Sequence, residues 1–212
     1  MLYIILVLGV GYLFGCFQTG YFVGKLNKID IRDYGSGNAG TTNVLRTLGL
    51  PWAAVTFLGD ALKGLVWLLL VKHFIVPMAN GVDEQVLCLL AGLGAVLGHN
   101  YPFELQFKGG KGIATTVAIM FGFDIRMGIV AALAFIVVCA ATRYVSLSSL
   151  CLVTSLPITC LIFYPGRWDL LVLILVFTVS AFYRHKANIV RLKNGTESKL
   201  GQKAEKTPIN KQ

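Results

Sequence analysis

The apolar residues of this chain come in long blocks separated by short polar or charged joints. Charge-free intervals run over 1–24, 64–71, 85–103, 112–123, 127–142, 144–166 and 170–183. The second reaches back to about Pro51 if Asp60 and Lys63 are tolerated inside it. Prolines and charges mark the joints: Pro51, Pro77 to Glu84, Pro102 to Lys111, Asp124-Ile125-Arg126, Arg143, and Pro165 to Asp169. About 20 apolar residues suffice for a helix to cross the hydrocarbon of a bilayer. The pattern therefore predicts an all-α membrane protein of seven transmembrane helices. Two of them, 112–123 and 127–142, are short enough to form a re-entrant pair, which would leave five full crossings. No charge precedes Lys25, so the first block reads as a permanent span and not as a secretory leader.

Composition agrees with this pattern. With 212 residues, 56% of them hydrophobic and 14% charged, and a mean hydropathy of +0.70, the chain has little room beyond its crossings. Residues 1–200 read as one multi-pass transmembrane domain and 201–212 as a basic, flexible cytoplasmic tail. A net charge of +9 in so apolar a chain points to the anionic leaflet of a phospholipid bilayer and not to nucleic acid. Cys16, Cys88, Cys139, Cys151 and Cys160 all lie in apolar stretches without metal-ligand spacing, so neither disulfides nor a metal site is expected.

Lys and Arg set the orientation. Fifteen of them, from Lys25 and Lys28 through Lys108, Lys111 and Arg143 to the C-terminal cluster, fall on joints of one side. Lys72, Arg126 and Arg167 fall on the other. The first side is thus cytoplasmic, with the N-terminus outside and the C-terminus inside.

Candidate chemistry gathers on that cytoplasmic side. Phe107-Lys108-Gly109-Gly110-Lys111-Gly112 is a glycine-rich cationic loop between two membrane-length blocks. Unshielded backbone N–H groups beside ammonium groups bind phosphate. Gly112 follows Lys111 where a nucleotide P-loop has Ser or Thr. A second patch, 35–46, offers Ser36, Gly37, Asn38, Asn43 and Arg46, with a short helix starting near Thr42. A third holds His185 and Asn188, three residues apart and on one face if helical, and Glu197, a carboxylate suited to organising the surrounding cations. The joint Arg143 to Ser149 adds hydroxyls. His99, beside Asn100 and Pro102 at a helix end, reads as a cap or hydrogen-bond anchor, with a catalytic base as the alternative. Asp60 and Lys63 are expected to pair on one helix face inside the second span; a proton relay is the alternative.

The stretches GSGNAGTTNVLR (35–46), GHNYPF and FKGGKGIAT (98–115), TRYVSLSS (142–149) and RHKANIVRLKNGTESK (184–199) resemble the PlsY-type acyl-phosphate:glycerol-3-phosphate acyltransferases of bacteria. With the spans between them the likeness covers nearly the whole chain. Thr41 and Ile113 depart from the residues usual in the family. The resemblance implies an enzyme of the bacterial cytoplasmic (inner) membrane, active as a monomer and without a cofactor. It would move a fatty acyl group from acyl phosphate to glycerol 3-phosphate, giving lysophosphatidic acid and phosphate without a covalent acyl-enzyme. Ser36, Lys111, His185 and Asn188 are then the expected catalytic set. Ser36, Gly37, Asn38, Gly109, Gly110, Lys111, Gly112 and Thr115 are expected to hold acyl phosphate. Arg46, Lys111, Ser148, Ser149, His185 and Asn188 are expected to hold glycerol 3-phosphate. Asp60, Lys63, His99 and Glu197 are expected to be structural. Either a substrate phosphate or His185 takes the hydroxyl proton. A phosphate transporter is the rival of another class; it calls for polar residues at the midplane, where only Asp60 and Lys63 lie.

Overall fold

The computed structural model describes residues 2–203; most of the expected tail, 204–212, lies outside the described residues. Among the described residues the regular structure is all helical, with ten α-helices whose longest connections are 27–40, 71–83 and 101–112. The helices are α1 (Leu2–Cys16), α2 (Thr19–Leu26), α3 (Thr41–Leu48), α4 (Leu50–Leu70), α5 (Glu84–Asn100), α6 (Ile113–Phe123), α7 (Ile125–Thr142), α8 (Val145–Phe163), α9 (Trp168–Arg184) and α10 (Lys186–Lys193).

Five stretches are long and apolar enough to cross a bilayer: Leu2–Leu26, Leu50–Met78, Glu84–Leu105, Ile125–Thr142 and Val145–Phe163. The pair α9 and α10, bent by 59° at His185, makes a sixth if counted as one span. Helix α6 has 11 residues and is about 16 Å long, roughly half the hydrocarbon thickness. The apolar block 112–123 reads as short in the sequence, and the helix begins one residue inside it because Gly112 is its N-cap. The first span is broken at Phe17-Gln18, where Gln18, almost wholly buried, donates to the carbonyls of Gly15 (3.3 Å) and His99 (3.0 Å).

Helix α5 is the centre of the bundle and the most buried of the spans. Its small residues explain why. Gly94 and Gly98 lie against the backbone of Leu8 and Tyr12 on α1, and Gly15 of α1 lies against Ala95 of α5. A Cβ at any of these three would overlap a facing carbonyl oxygen. Small residues four apart let two helices touch through their backbones, which supplies dispersion contact where lipid removes the hydrophobic drive. On the other side Leu89 and Leu93 of α5 join Ile119 and Met120 of α6, Leu152 and Leu156 of α8, and Ile174 and Phe177 of α9 in the main core. Outward positions such as Ile129, Leu133, Val137, Val172 and Val179 stay exposed and apolar, forming a lipid-facing surface.

Candidate active site

The 35–46 segment is folded around Asn43, which is almost fully buried. Its Oδ1 accepts the Ser36 N–H (2.9 Å), and its Nδ2 donates to the carbonyls of Ile31 (2.9 Å) and Tyr34 (3.0 Å). Asn38 joins this segment to the glycine turn: its Oδ1 accepts the Gly40 N–H (2.9 Å) and its Nδ2 donates to Gly109 O (3.3 Å). Helix α3 then starts at Thr41 with no side chain capping its first turn.

The glycine turn is clamped from both sides. Gly109 N–H donates to Asn100 O (3.3 Å) and Gly110 N–H to His99 O (3.0 Å). Arg184, stacked 5.0 Å from the Tyr101 ring centroid, donates Nε to Gly110 O (3.0 Å) and an Nη to Gly109 O (2.8 Å). Gly37 N–H is likewise bound to Tyr34 O (3.0 Å). The N–H groups of Gly37, Gly109 and Gly110 thus each donate to a protein carbonyl in this structure. Gly109 and Gly110 serve close packing, whereas Gly37 takes φ +69°, a left-handed turn. A Cβ at Gly110 would overlap the His99 imidazole, and one at Gly109 would overlap the His99 carbonyl. Gly112 takes φ +75°, a left-handed turn that glycine adopts without strain, and N-caps α6.

Between these segments lies a cavity of about 440 Å³. Its polar end is lined by Ser36, Asn38, Thr41, Thr42, Arg46, Lys111, Gly112, Ser146, Ser149, His185, Asn188 and Glu197. The first turns of α3 (Thr41, Thr42), α6 (Ile113, Ala114) and α8 (Val145, Ser146) all border it, so three positive helix ends converge there. The cavity continues as an apolar branch between Phe57 of α4, Val117 of α6, Ala132, Phe135, Ile136 and Cys139 of α7, and Leu152 of α8.

A hydrogen-bonded chain runs along the polar end. Lys111 Nζ donates to Asn188 Oδ1 (2.6 Å), and Asn188 Nδ2 donates to Glu197 Oε1 (2.8 Å). Ser146 Oγ donates to the same oxygen (3.1 Å), while Arg191 Nε donates to Glu197 Oε2 (2.6 Å). Arg46 donates to Ser198 O (2.9 Å). Burial pushes the Lys111 ammonium down to about 8; Glu197 pulls it up, and Arg191, Arg46 and Arg184 push it further down. Burial raises the Glu197 carboxyl, but hydrogen bonds from Asn188, Arg191 and Ser146 together hold it below the ordinary range. Four cations around one carboxylate leave a strong excess of positive charge. His185 Nδ1 lies 2.8 Å from Ala181 O; a carbonyl only accepts, so Nδ1 carries the proton and Nε2 keeps its lone pair.

Two expected ligands lie elsewhere. Thr115 is fully buried with its Oγ1 on Asp60 O (2.8 Å), and Ser148 is fully buried with its Oγ on Tyr144 O (2.8 Å). Neither lines the cavity. Helix α8 starts at Val145, so Ser146, Ser149 and Leu152 share the face toward the cavity and Ser148 turns away. Sequence reasoning had Ser146 in view only as part of its joint, and i, i+3 spacing from Ser149 was the available signal. It passed over Arg184, which looked like one more charge flanking a last helix. Asp60 Oδ1 and Lys63 Nζ pair at 3.1 Å inside the bundle, and Lys63 also donates to Phe17 O. Unpaired, each would cost about 2.5–3.5 kcal/mol at a span centre.

Fold and site together define an integral membrane protein whose spans enclose a cationic pocket continuous with an apolar groove. The family described as glycerol-3-phosphate acyltransferase matches residues 5–195, and the chain belongs to it. It is 46% identical over 200 residues to the glycerol-3-phosphate acyltransferase of Alkaliphilus metalliredigens (strain QYMF), covering 94% of this chain and 97% of that relative. It is 45% identical over 202 residues to that of Clostridioides difficile (strain 630), covering 95% and 97%. Among solved structures it is similar to PlsY (YgiH), an integral membrane glycerol 3-phosphate acyltransferase, in its glycerol 3-phosphate form: 33% identity, TM-score 0.84, 93% of this chain and 96% of that one. The lysophosphatidic acid form of PlsY matches with a TM-score of 0.81 and the same identity, over 94% and 96% of the chains. Work in phospholipid biosynthesis follows from the family.

Proposed function

We propose that this protein moves a fatty acyl group from acyl phosphate to the sn-1 hydroxyl of glycerol 3-phosphate, on the cytoplasmic face of a bacterial inner membrane. The observation that carries this reading is the single cavity with a cationic end and an apolar branch, which fits a molecule that is phosphate at one end and hydrocarbon at the other. The hydroxyl oxygen attacks the acyl carbonyl carbon, the carbon–oxygen bond to phosphate breaks, and the hydroxyl proton leaves to a substrate phosphate or to His185 Nε2. Lys111, Ser36, Asn38 and Gly112 hold the acyl phosphate; Arg46, Ser149, His185 and Asn188 hold glycerol 3-phosphate. Lys111 faces both. Lys111 and the helix ends balance charge developing on the carbonyl oxygen, and Asn188 keeps Lys111 aimed.

Direct transfer without an acyl-enzyme is supported by the hydroxyls. Ser149 donates to Val145 O, Ser146 donates to Glu197, and no hydrogen bond joins His185 to a serine among the described residues. Glu197, held below the ordinary carboxylate range by Asn188, Arg191 and Ser146, is too weak a base to activate Ser146 as a nucleophile.

Orientation rests on the Lys and Arg bias together with the shared location of the polar loops. Helices α6 and α7 form a hairpin across Asp124. An α7 of 18 residues is about 27 Å long against about 16 Å for α6, so a common outer end leaves Lys111 about 10 Å below the cytoplasmic end of α7. That geometry supports seven segments with α6 as a shortened one, and the Lys and Arg bias then puts the N-terminus outside.

The test is phosphate release by detergent-purified protein from acyl phosphate, dependent on glycerol 3-phosphate and yielding 1-acyl-glycerol 3-phosphate. Absence of turnover sinks the reading. For the proton acceptor, His185→Gln keeps a donor and removes the basic nitrogen. A loss confined to KM speaks against His185 as base, and a collapse of kcat alone speaks against the phosphate.

A further inference from the structure

His99 is almost wholly buried, yet it borders the cavity and touches the glycine turn. Its backbone carbonyl accepts from Gly110 N–H (3.0 Å) and Gln18 Nε2 (3.0 Å). Its Nδ1 lies 2.9 Å from Lys63 Nζ, which also donates to Asp60 Oδ1 (3.1 Å) and to Phe17 O. An ammonium has three N–H donors, and here it meets three acceptors. Paired with the Asp60 carboxylate, Lys63 stays charged and makes Nδ1 an acceptor. The one proton of the neutral ring then sits on Nε2, the nitrogen that faces Gly110.

We propose that the Asp60–Lys63 pair locks His99 as the Nε2–H tautomer, making His99 a positioning residue that presents a donor, never a lone pair, to the glycine turn and the anion end of the cavity. The inference rests on the phosphate-binding reading of that cavity. His185, on α9's far end, is held the opposite way, with Nδ1 protonated by its contact to Ala181 O. The two cavity histidines thus carry opposite tautomers: His99 offers a proton-bearing nitrogen and His185 offers a lone pair. A lone pair beside Gly110 would repel a phosphate or a carbonyl oxygen held at Lys111. The Lys63 donor at Nδ1 also polarises the ring, which strengthens Nε2–H as a donor where water is excluded. This gives the ion pair inside the membrane a use beyond its own neutralisation.

Two variants separate this from a purely structural His99. His99→Asn places an amide oxygen near Nδ1, so Lys63 keeps its acceptor, but nothing reaches the turn. His99→Gln reaches the turn with an N–H. With full-length protein in detergent, His99→Asn should fold and raise KM for acyl phosphate by about tenfold or more, the equivalent of one hydrogen bond to a charged group. His99→Gln should recover most of that loss. In ¹⁵N NMR of histidine-labelled protein, His99 should carry a bare Nδ1 and His185 a bare Nε2. Wild-type KM in His99→Asn, or a protonated His99 Nδ1, overturns the proposal. Turnover of acyl phosphate by the wild-type protein is measured alongside. Its absence refutes the proposed function, whereas its presence with an unaffected His99→Asn refutes the tautomer lock alone.

Discussion

Raising the pH from 7 to 9 should weaken glycerol 3-phosphate binding about tenfold through Lys111. The ammonium of the free protein titrates at about 8, because burial and three nearby guanidinium groups outweigh the single Glu197. It is about 90% charged at pH 7 and about 10% at pH 9, and apparent affinity scales with the competent fraction. The substrate phosphate, with a second pKa of about 6, stays a dianion across this range and contributes no slope. The assay is initial-rate phosphate release with acyl phosphate saturating, read as KM for glycerol 3-phosphate at pH 7, 8 and 9. Lys111→Arg keeps its charge at every one of these pH values, so its KM starts higher, from the altered fit to Asn188, and stays flat. A wild-type KM constant within about twofold, or an identical alkaline rise in Lys111→Arg, would refute the reasoning. Stability moves the opposite way. The folded pKa lies below the unfolded one, so the unfolded chain binds the extra proton between about 8 and 10.5, and Lys111 makes the fold more stable as pH rises through that window.

Glu197→Gln should lower the melting temperature, costing about 2–3 kcal/mol, because the carboxylate binds Asn188, Ser146 and the Arg191 guanidinium. Its folded pKa is depressed, so that contribution is present above the ordinary carboxylate range and lost as pH falls; the gap to wild type should close in acid melts. Gly110→Ala should cut kcat/KM by about a hundredfold and also lower the melting temperature, since the new Cβ overlaps the buried His99 ring, so that the ring and the Lys111 turn must shift apart. Thr115→Val and Ser148→Ala should leave KM for both substrates within about twofold. Each should cost about 1 kcal/mol in stability, as both hydroxyls bond backbone carbonyls away from the cavity. A tenfold KM change in either would return these residues to the substrate.

The membrane class and the residues 35–46, 108–112 and 184–199 were legible in the sequence because each rests on local chemistry. Apolar blocks must be buried in lipid, and glycine, lysine and asparagine runs must be joints. The family likeness added the acyl group, which no spacing supplies. What could not be read locally was where hydrogen bonds go. Gly109 and Gly110 look like free donors until α5 places the carbonyls of Asn100 and His99 against them. Ser146 and Ser148 are equivalent in sequence until the start of α8 selects one face. Arg184 looks like a flanking charge until the turn's two carbonyls come to rest on it.

The sequence by itself determined that this chain lives in a membrane and confines nearly all its charge to the joints between apolar blocks, because the cost of burying charge in hydrocarbon acts residue by residue. Only the tertiary structure decided that Asn38 ties two loops together, that three helix starts border one cavity with Arg46 and Lys111, and that Lys63 sets the protonation of a histidine 36 positions away. Those outcomes depend on distances between segments remote in the chain, which the backbone contact of α1 with α5 and the shortness of α6 fix, and which no local pattern encodes.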